Sequence, residues 1–166
     1  MDKIALREVT IEDAEYLQPI WTDNDVIKYT MINNMDSMEN VKNRILRQLK
    51  WKELDGIGPY VIIKNTKIVG YCGGTRTSNS VKEYEIFYHL AKEEWGNGHG
   101  TRVAKMLVDI AFNNKNAEKV IAESYIGNIG SCRVLEKLGM KKKEIVKRKI
   151  RTNEEEYAMY VYELCK

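Results

Sequence analysis

Glu94-Trp-Gly-Asn-Gly-His-Gly-Thr101 decides how this chain folds. Glycine stands at 96, 98 and 100, after a β-type run from Tyr84 to Leu90 and before Val103, Met106, Leu107, Ile110 and Ala111 at helical spacing. Alternate glycines let the backbone turn with no side chains in the way. Their N–H groups, with the free donors of the helix N-terminus, can then form an anion cradle that suits a pyrophosphate. A tight strand-to-helix connection that holds no ligand is the other reading of the same residues. Two familiar phosphate loops fit poorly. No lysine follows Gly100 as GxxxxGK(S/T) requires, and GxGxxG needs glycine where Thr101 stands. That dinucleotide motif also opens a parallel βαβ unit, whereas antiparallel strands are expected before this loop.

Upstream, Lys3 to Val9 alternates as a short strand, and Thr10-Ile-Glu-Asp13 matches a capping box. Ala14, Leu17, Ile20 and Trp21 then predict a helix with Pro19 near its end. The spacing predicts a second amphipathic helix from about Met38 to Leu54, with Val41, Ile45, Leu46 and Leu49 on one face. Tyr60–Ile63 and Ile68–Cys72 flank Asn65-Thr66 as a hairpin, and Gly73-Gly74 suggest a bend or a close backbone approach. A polar turn near Ser78-Asn79-Ser80 leads into the Tyr84–Leu90 strand. Downstream come a strand at Lys119–Ala122, a helix from Asn128 to Leu138 stopped by Gly139, and two final strands from Lys141 to Leu164 around a turn near Thr152-Asn153. This is one α+β domain spanning 1–166.

Composition bounds the function. The 166 residues, 43% apolar and 31% charged, are enough to bury a core. Twenty-seven basic residues nearly cancel twenty-four acidic ones, and a net charge of +3 without a basic block argues against a nucleic-acid partner. Lys141-Lys142-Lys143 reads as a solvated strand edge. Cys72, Cys132 and Cys165 are odd in number with no CxxC spacing, which suits free thiols in a reducing compartment. His89 and His99 have no second ligand at metal-site spacing, so no metal is expected. With no apolar signal region and no window near the roughly 20 apolar residues of a membrane span, a cytoplasmic location away from membranes is expected.

The whole ordering resembles the GNAT superfamily of N-acetyltransferases, and looks most like the branch that acetylates ribosomal-protein N-termini. Tyr84-Glu-Ile-Phe-Tyr-His-Leu90 is similar to the family's fourth strand, and Glu94–Thr101 to its pyrophosphate loop. Asn128-Ile-Gly-Ser131 through Glu136-Lys-Leu-Gly-Met140 resembles its late NxxS…KLGF segment, and Leu6–Ala14 fits its opening. The resemblance implies a mixed, mostly antiparallel sheet of about seven strands, splayed between strands four and five and flanked by about four helices. Acetyl-CoA would lie in that cleft. Its pantetheine arm would pair with backbone near His89, Leu90 and Ala91 and contact Asn128 and Ser131. Its pyrophosphate would rest on Gly96, Asn97, Gly98, His99, Gly100 and Thr101. Two departures stand out: Trp95 replaces the common Gln or Arg at the head of the loop, and Phe87 replaces a usual glycine.

Acetyl transfer needs a neutral amine, yet lysine amines (pKa near ~10.4) and N-terminal amines (near ~7.7–8.0) are at least partly protonated at neutral pH. Glu85 is the leading base candidate, with Glu83 two residues earlier and Glu123 at the end of the next strand behind it. Each could equally be a solvent-facing or ion-paired strand carboxylate. Many relatives protonate the leaving thiolate with a tyrosine where Leu135 stands here, which makes Ser131 the natural replacement, though asparagine–x–x–serine is also an ordinary helix start. Backbone N–H near Leu90 would stabilise the oxyanion. Trp21, Tyr29 and the helix beginning near Met38 occupy the region that shapes acceptor pockets in relatives, although hydrophobic packing explains them better. The expected partners are therefore acetyl-CoA and a primary amine, either a protein N-terminus or a small molecule. A non-catalytic acyl-CoA-binding module is the alternative, and the oligomeric state stays open, a homodimer included.

Overall fold

The structure, a computed structural model, describes residues 2–28, 30, 32–33, 35–78, 81–149 and 155–166. Tyr29 and the turns at 79–80 and 152–153 lie outside these residues. Seven strands form one sheet: β1 (Ile4–Glu8), β2 (Ile57–Lys64), β3 (Lys67–Ser78), β4 (Glu83–Leu90), β5 (Lys119–Tyr125), β6 (Lys141–Lys149) and β7 (Glu156–Cys165). Their order is β1-β2-β3-β4-β5-β7-β6, and every neighbouring pair is antiparallel except β4 and β5. A parallel pair needs a crossover, and here it carries α4 (His99–Asp109). The other helices are α1 (Ala14–Thr22), the single turn α2 (Asn24–Ile27), α3 (Met38–Leu49) and α5 (Ile129–Lys137).

Side chains alternate across each strand, so the sheet feeds two cores. Val61 and Tyr71 pack against Trp21, Leu17, Val41 and Ile45 of α1 and α3, whereas Ile62, Cys72, Tyr84 and Ile86 meet Val103, Leu107 and Leu135 of α4 and α5. Close approach of β3 to β4 explains the strand glycines. A Cβ at Gly70 would lie 2.3 Å from the His89 carbonyl oxygen, and one at Gly74 2.8 Å from that of Glu85. β6 lies at the sheet edge with its lysines exposed, as a solvated edge strand should be.

Two expectations need correcting. The run from Met38 does not stay α-helical to Leu54: α3 ends at Leu49 and a tighter helical turn covers Lys50–Leu54, closed by Asp55 in the left-handed region at φ 58°. The buried face also differs. At about 100° per residue, Val41, Ile45 and Gln48 point inward, while Leu46 falls off the stripe and is 50% exposed. Gln48 can be buried because its Oε1 accepts the Tyr71 hydroxyl.

The N-terminal turn is tied by charge. Buried Asp13 accepts from Arg7 Nη2 at 2.6 Å, from Arg7 Nη1 at 3.0 Å and from the Thr10 N–H at 2.8 Å. Burial alone would push this carboxyl up, but the Arg7 and Thr10 hydrogen bonds and the Arg7 charge outweigh it and hold the carboxyl below its usual range. A depressed carboxylate stabilises the fold above its unfolded pKa, and that stability is lost as pH falls through the folded pKa. Asp13→Asn is therefore expected to lower stability at pH 7 by about 1–2 kcal/mol, allowing for the partial exposure of Arg7. Thermal melts should show the gap from wild type closing as the pH is lowered below 4.

Candidate active site

β4 and β5 are paired only from Glu83 to Glu85 against Lys119 to Ile121. Beyond that rung β4 runs on to Leu90 and β5 to Tyr125 without bonding to each other, and the sheet opens into a cleft. The N–H of Ala91 donates to Val69 O at 2.9 Å. Alternation along an antiparallel strand therefore commits the backbone of Ala91 and His89 to β3, and turns the Leu90 N–H and the Tyr88 backbone toward the gap. Of the three residues expected to meet the pantetheine arm, Leu90 thus has its N–H available, while its carbonyl accepts Trp95 Nε1 at 3.0 Å.

The glycine loop closes one end of the cleft. Gly96 and Gly98 both adopt φ +76°, a conformation that disfavours side chains, and a Cβ on either would meet nothing within 4 Å. Gly98 is the N-cap of α4, whose ladder begins with the Arg102 N–H on Gly98 O at 3.2 Å. The N–H groups of His99, Gly100 and Thr101 accordingly have no intrahelical acceptor. Open amides beside positive-φ glycines are what a diphosphate requires, so the residues present fit acetyl-CoA. Gly96, Gly98, Gly100 and Thr101 line the cavity, and Asn97 and His99 do not. Asn97 donates its side-chain amide back to Glu93 O at 3.5 Å. His99, expected to face the cradle, is buried instead. Its Nδ1 lies 2.9 Å from Glu94 Oε2, unaligned for a hydrogen bond, and Glu94 is itself paired with Lys64 at 2.6 Å.

On the other side stands α5. Asn128 Oδ1 caps it by accepting the Ser131 N–H at 3.2 Å, and both residues line the cavity. The Ser131 hydroxyl lies 3.5 Å from the hydroxyl of Tyr88. Burial pushes the Tyr88 phenol up to about 12, only partly offset by Ser131. Leu135, where many relatives carry a tyrosine, is buried in the core. A tyrosine hydroxyl is therefore present after all, delivered from β4. The sequence signal was its phase: Tyr88 shares a strand face with Tyr84 and Ile86.

The three carboxylate candidates separate cleanly. Glu83 is bound by Lys119 at 3.2 Å and by Thr77 at 2.8 Å, and does not line the cavity. Glu123 is held bidentately by Arg148 at 2.6 and 2.9 Å. Glu85 lines the cavity on the last rung before the split, and its carboxylate has no hydrogen-bond partner among the described residues. Burial, then the Glu123 charge, raises its carboxyl above the usual range, opposed by Arg148. His89 also lines the cavity, but burial and the Arg44 charge drive its imidazole down to about 3, so it stays neutral. Phe87 packs edge-on to Trp51 with centroids 5.5 Å apart. Trp21 is fully buried against Tyr71 and takes no part in the lining.

The cavity between these walls holds about 1150 Å³, room for an extended acyl donor and an acceptor together. A mixed sheet split beside an amide cradle, with an unpaired carboxylate at its apex, is the architecture of an acyl-group transferase. Comparison with known proteins agrees. The family model described as an acetyltransferase (GNAT) domain matches residues 3–141. The uncharacterized N-acetyltransferase YoaA of Bacillus subtilis is 26% identical over 167 residues, covering 99% of this chain and 94% of that protein. Mycobacterium smegmatis RimJ, solved in complex with CoA-disulfide, superposes with a TM-score of 0.87 at 18% identity over 98% of this chain and 81% of that one. The ribosomal-protein-S5-alanine acetyltransferase of Vibrio fischeri superposes at 0.84 with 18% identity, covering 99% and 96%. The chain belongs to the GNAT acetyltransferase family. It is an acyltransferase, and the family to which it belongs uses acetyl-CoA as donor.

Among the described residues no cluster of His, Cys, Asp or Glu could hold a metal, and no helix is long and apolar enough to cross a membrane.

Proposed function

We propose that the chain, working as one domain over 1–166, transfers the acetyl group of acetyl-CoA to a primary amine by direct attack within a ternary complex. The observation that carries this is the unpaired Glu85 carboxylate at the point where the sheet opens beside the amide cradle. Glu85 accepts the proton of the incoming ammonium, directly or through water. The freed nitrogen attacks the acetyl carbon, and the Leu90 N–H donates to the carbonyl oxygen as negative charge builds there. The carbon–sulfur bond then breaks. Ser131, with the Tyr88 hydroxyl beside it, hydrogen-bonds to the departing sulfur, which takes up the second proton lost by the attacking nitrogen and leaves as thiol, while the proton on Glu85 passes to solvent. The cysteines at 72, 132 and 165 are free, which suits a reducing compartment such as the cytoplasm.

The test is release of free thiol from acetyl-CoA across a panel of N-terminal peptides and small amines. Turnover supports the proposal, whereas calorimetric binding of acetyl-CoA with no turnover on any amine would leave a binding module instead. In the same assay Ser131→Ala is expected to lower kcat about tenfold, the loss of one charge-assisted hydrogen bond of about 1.5 kcal/mol. A normal rate would remove Ser131 from the chemistry.

A further inference from the structure

Most charged groups that line the cavity and are withdrawn from solvent have counter-ions. Glu123 has Arg148 and Glu94 has Lys64. Among the described residues two such groups form no ion pair, one of each sign: Glu85 on β4, which feels the charge of the Glu123-bound Arg148 without touching it, and Arg44 on α3. The Arg44 guanidinium carbon lies over the Trp21 ring, 5.2 Å from its centre, and its buried Nε finds no acceptor among the described residues. Gln48, one turn along, cannot serve because its oxygen is taken by Tyr71. Arg47, three residues on and also lining the cavity, adds a second positive charge and no anion. Beside them His89 is neutral, with its Nδ1 buried and unpartnered.

A half-buried guanidinium with no acceptor is destabilising unless something else completes it. Its planar fork matches a carboxylate better than any other common anion. Glu85, Phe87 and His89 share one strand face, spaced roughly 7 Å per two residues, and the Arg44 charge acts on His89, so the vacant negative and positive groups sit toward opposite ends of one wall. We propose that the acceptor is an amine bearing a carboxylate on the same molecule, with Arg44 binding the carboxylate while Glu85 receives the amine. This rests on the acetyl-transfer reading above. It disfavours polyamines, whose far end would bring a second cation against Arg44 and Arg47.

The experiment compares acceptors in pairs that differ by the carboxylate alone: 6-aminohexanoate against n-pentylamine, and lysine against cadaverine. A peptide beginning Ser-Asp against one beginning Ser-Asn tests whether the carboxylate comes from a polypeptide. In at least one pair the acidic member should have kcat/KM about tenfold higher or more, and in Arg44→Met that ratio should collapse toward one. Arg44→Lys, which retains charge without the fork, should fall between. Met keeps an unbranched apolar side chain beside Trp21 and removes a charge that has no anion, so the melting temperature of the variant should not drop. Equal rates within every pair, or an undiminished ratio in Arg44→Met, overturns the proposal. Should no amine turn over, the transfer reading fails separately. Calorimetric titration of 6-aminohexanoate into the CoA-saturated protein then decides the site: binding weakened about tenfold by Arg44→Met supports it, and no binding or unchanged binding overturns it.

Discussion

Replacing Glu85 by Gln is expected to lower kcat by about 10²–10⁴-fold, the span that a positioned general base supplies. The KM for acetyl-CoA should stay within about twofold, because in the proposed mechanism the cradle holds the donor and Glu85 meets only the acceptor amine. The amide preserves shape and removes the proton acceptor, so the loss falls on the chemical step. Wild-type activity should rise with pH as the Glu85 carboxyl ionises, at a pH above the usual carboxylate range because burial and the Glu123 charge hold its proton on. That inflection should vanish in the variant. Stability moves the other way. A carboxyl whose folded pKa is raised adds stability below its unfolded pKa and loses it as pH rises through the folded pKa. Glu85→Gln should therefore melt no lower than wild type at pH 8, with any advantage fading in acid. A variant with a near-normal rate, or with the wild-type pH profile at reduced rate, would take Glu85 out of the mechanism.

Gly98→Asp is expected to raise the KM for acetyl-CoA about 10- to 100-fold over Gly98→Asn, equivalent to about 1.4–2.8 kcal/mol. The pair is chosen because Asn and Asp tolerate left-handed backbone similarly, so the strain of a Cβ at φ +76° is common to both. Neither side chain meets protein, since a Cβ there has nothing within 4 Å. What differs is one negative charge at the mouth of the amide cradle, where it opposes a diphosphate. At saturating donor, kcat and the acceptor KM should differ little between the two variants, as only donor binding is touched. Equal donor KM values would mean that the diphosphate does not rest on these amides.

Much of the architecture was legible from local chemistry. Period-2 and period-3.6 patterns marked the strands and the principal helices, Asn65 and Gly139 marked a hairpin and a helix end, and the alternate glycines marked the cradle. The split between β4 and β5 came from resemblance, since nothing in either strand alone reports which neighbour it lacks. Local pattern failed where two elements meet. Leu46 was expected on the core face and is exposed, while Gln48, not among the residues expected there, is buried with its side chain bonded to Tyr71. Arg44 and Gln48 did carry a signal, as polar residues on the apolar face of α3, but a signal of that kind needs the opposing wall before it has meaning.

By itself the sequence determined the family and a glycine-lined turn at the start of α4, because a backbone that must reach φ +76° beside a helix start admits glycine and little else. Only the tertiary structure decided which carboxylate is free. Glu83, Glu85 and Glu123 are chemically alike, and what separates them is whether Lys119 or Arg148, distant in the chain, lies within reach. The same holds for the tyrosine that meets Ser131 from β4 and for the guanidinium on α3 that meets no anion among the described residues. Charge pairing in a folded protein depends on distances between elements, and those exist only once the sheet has assembled.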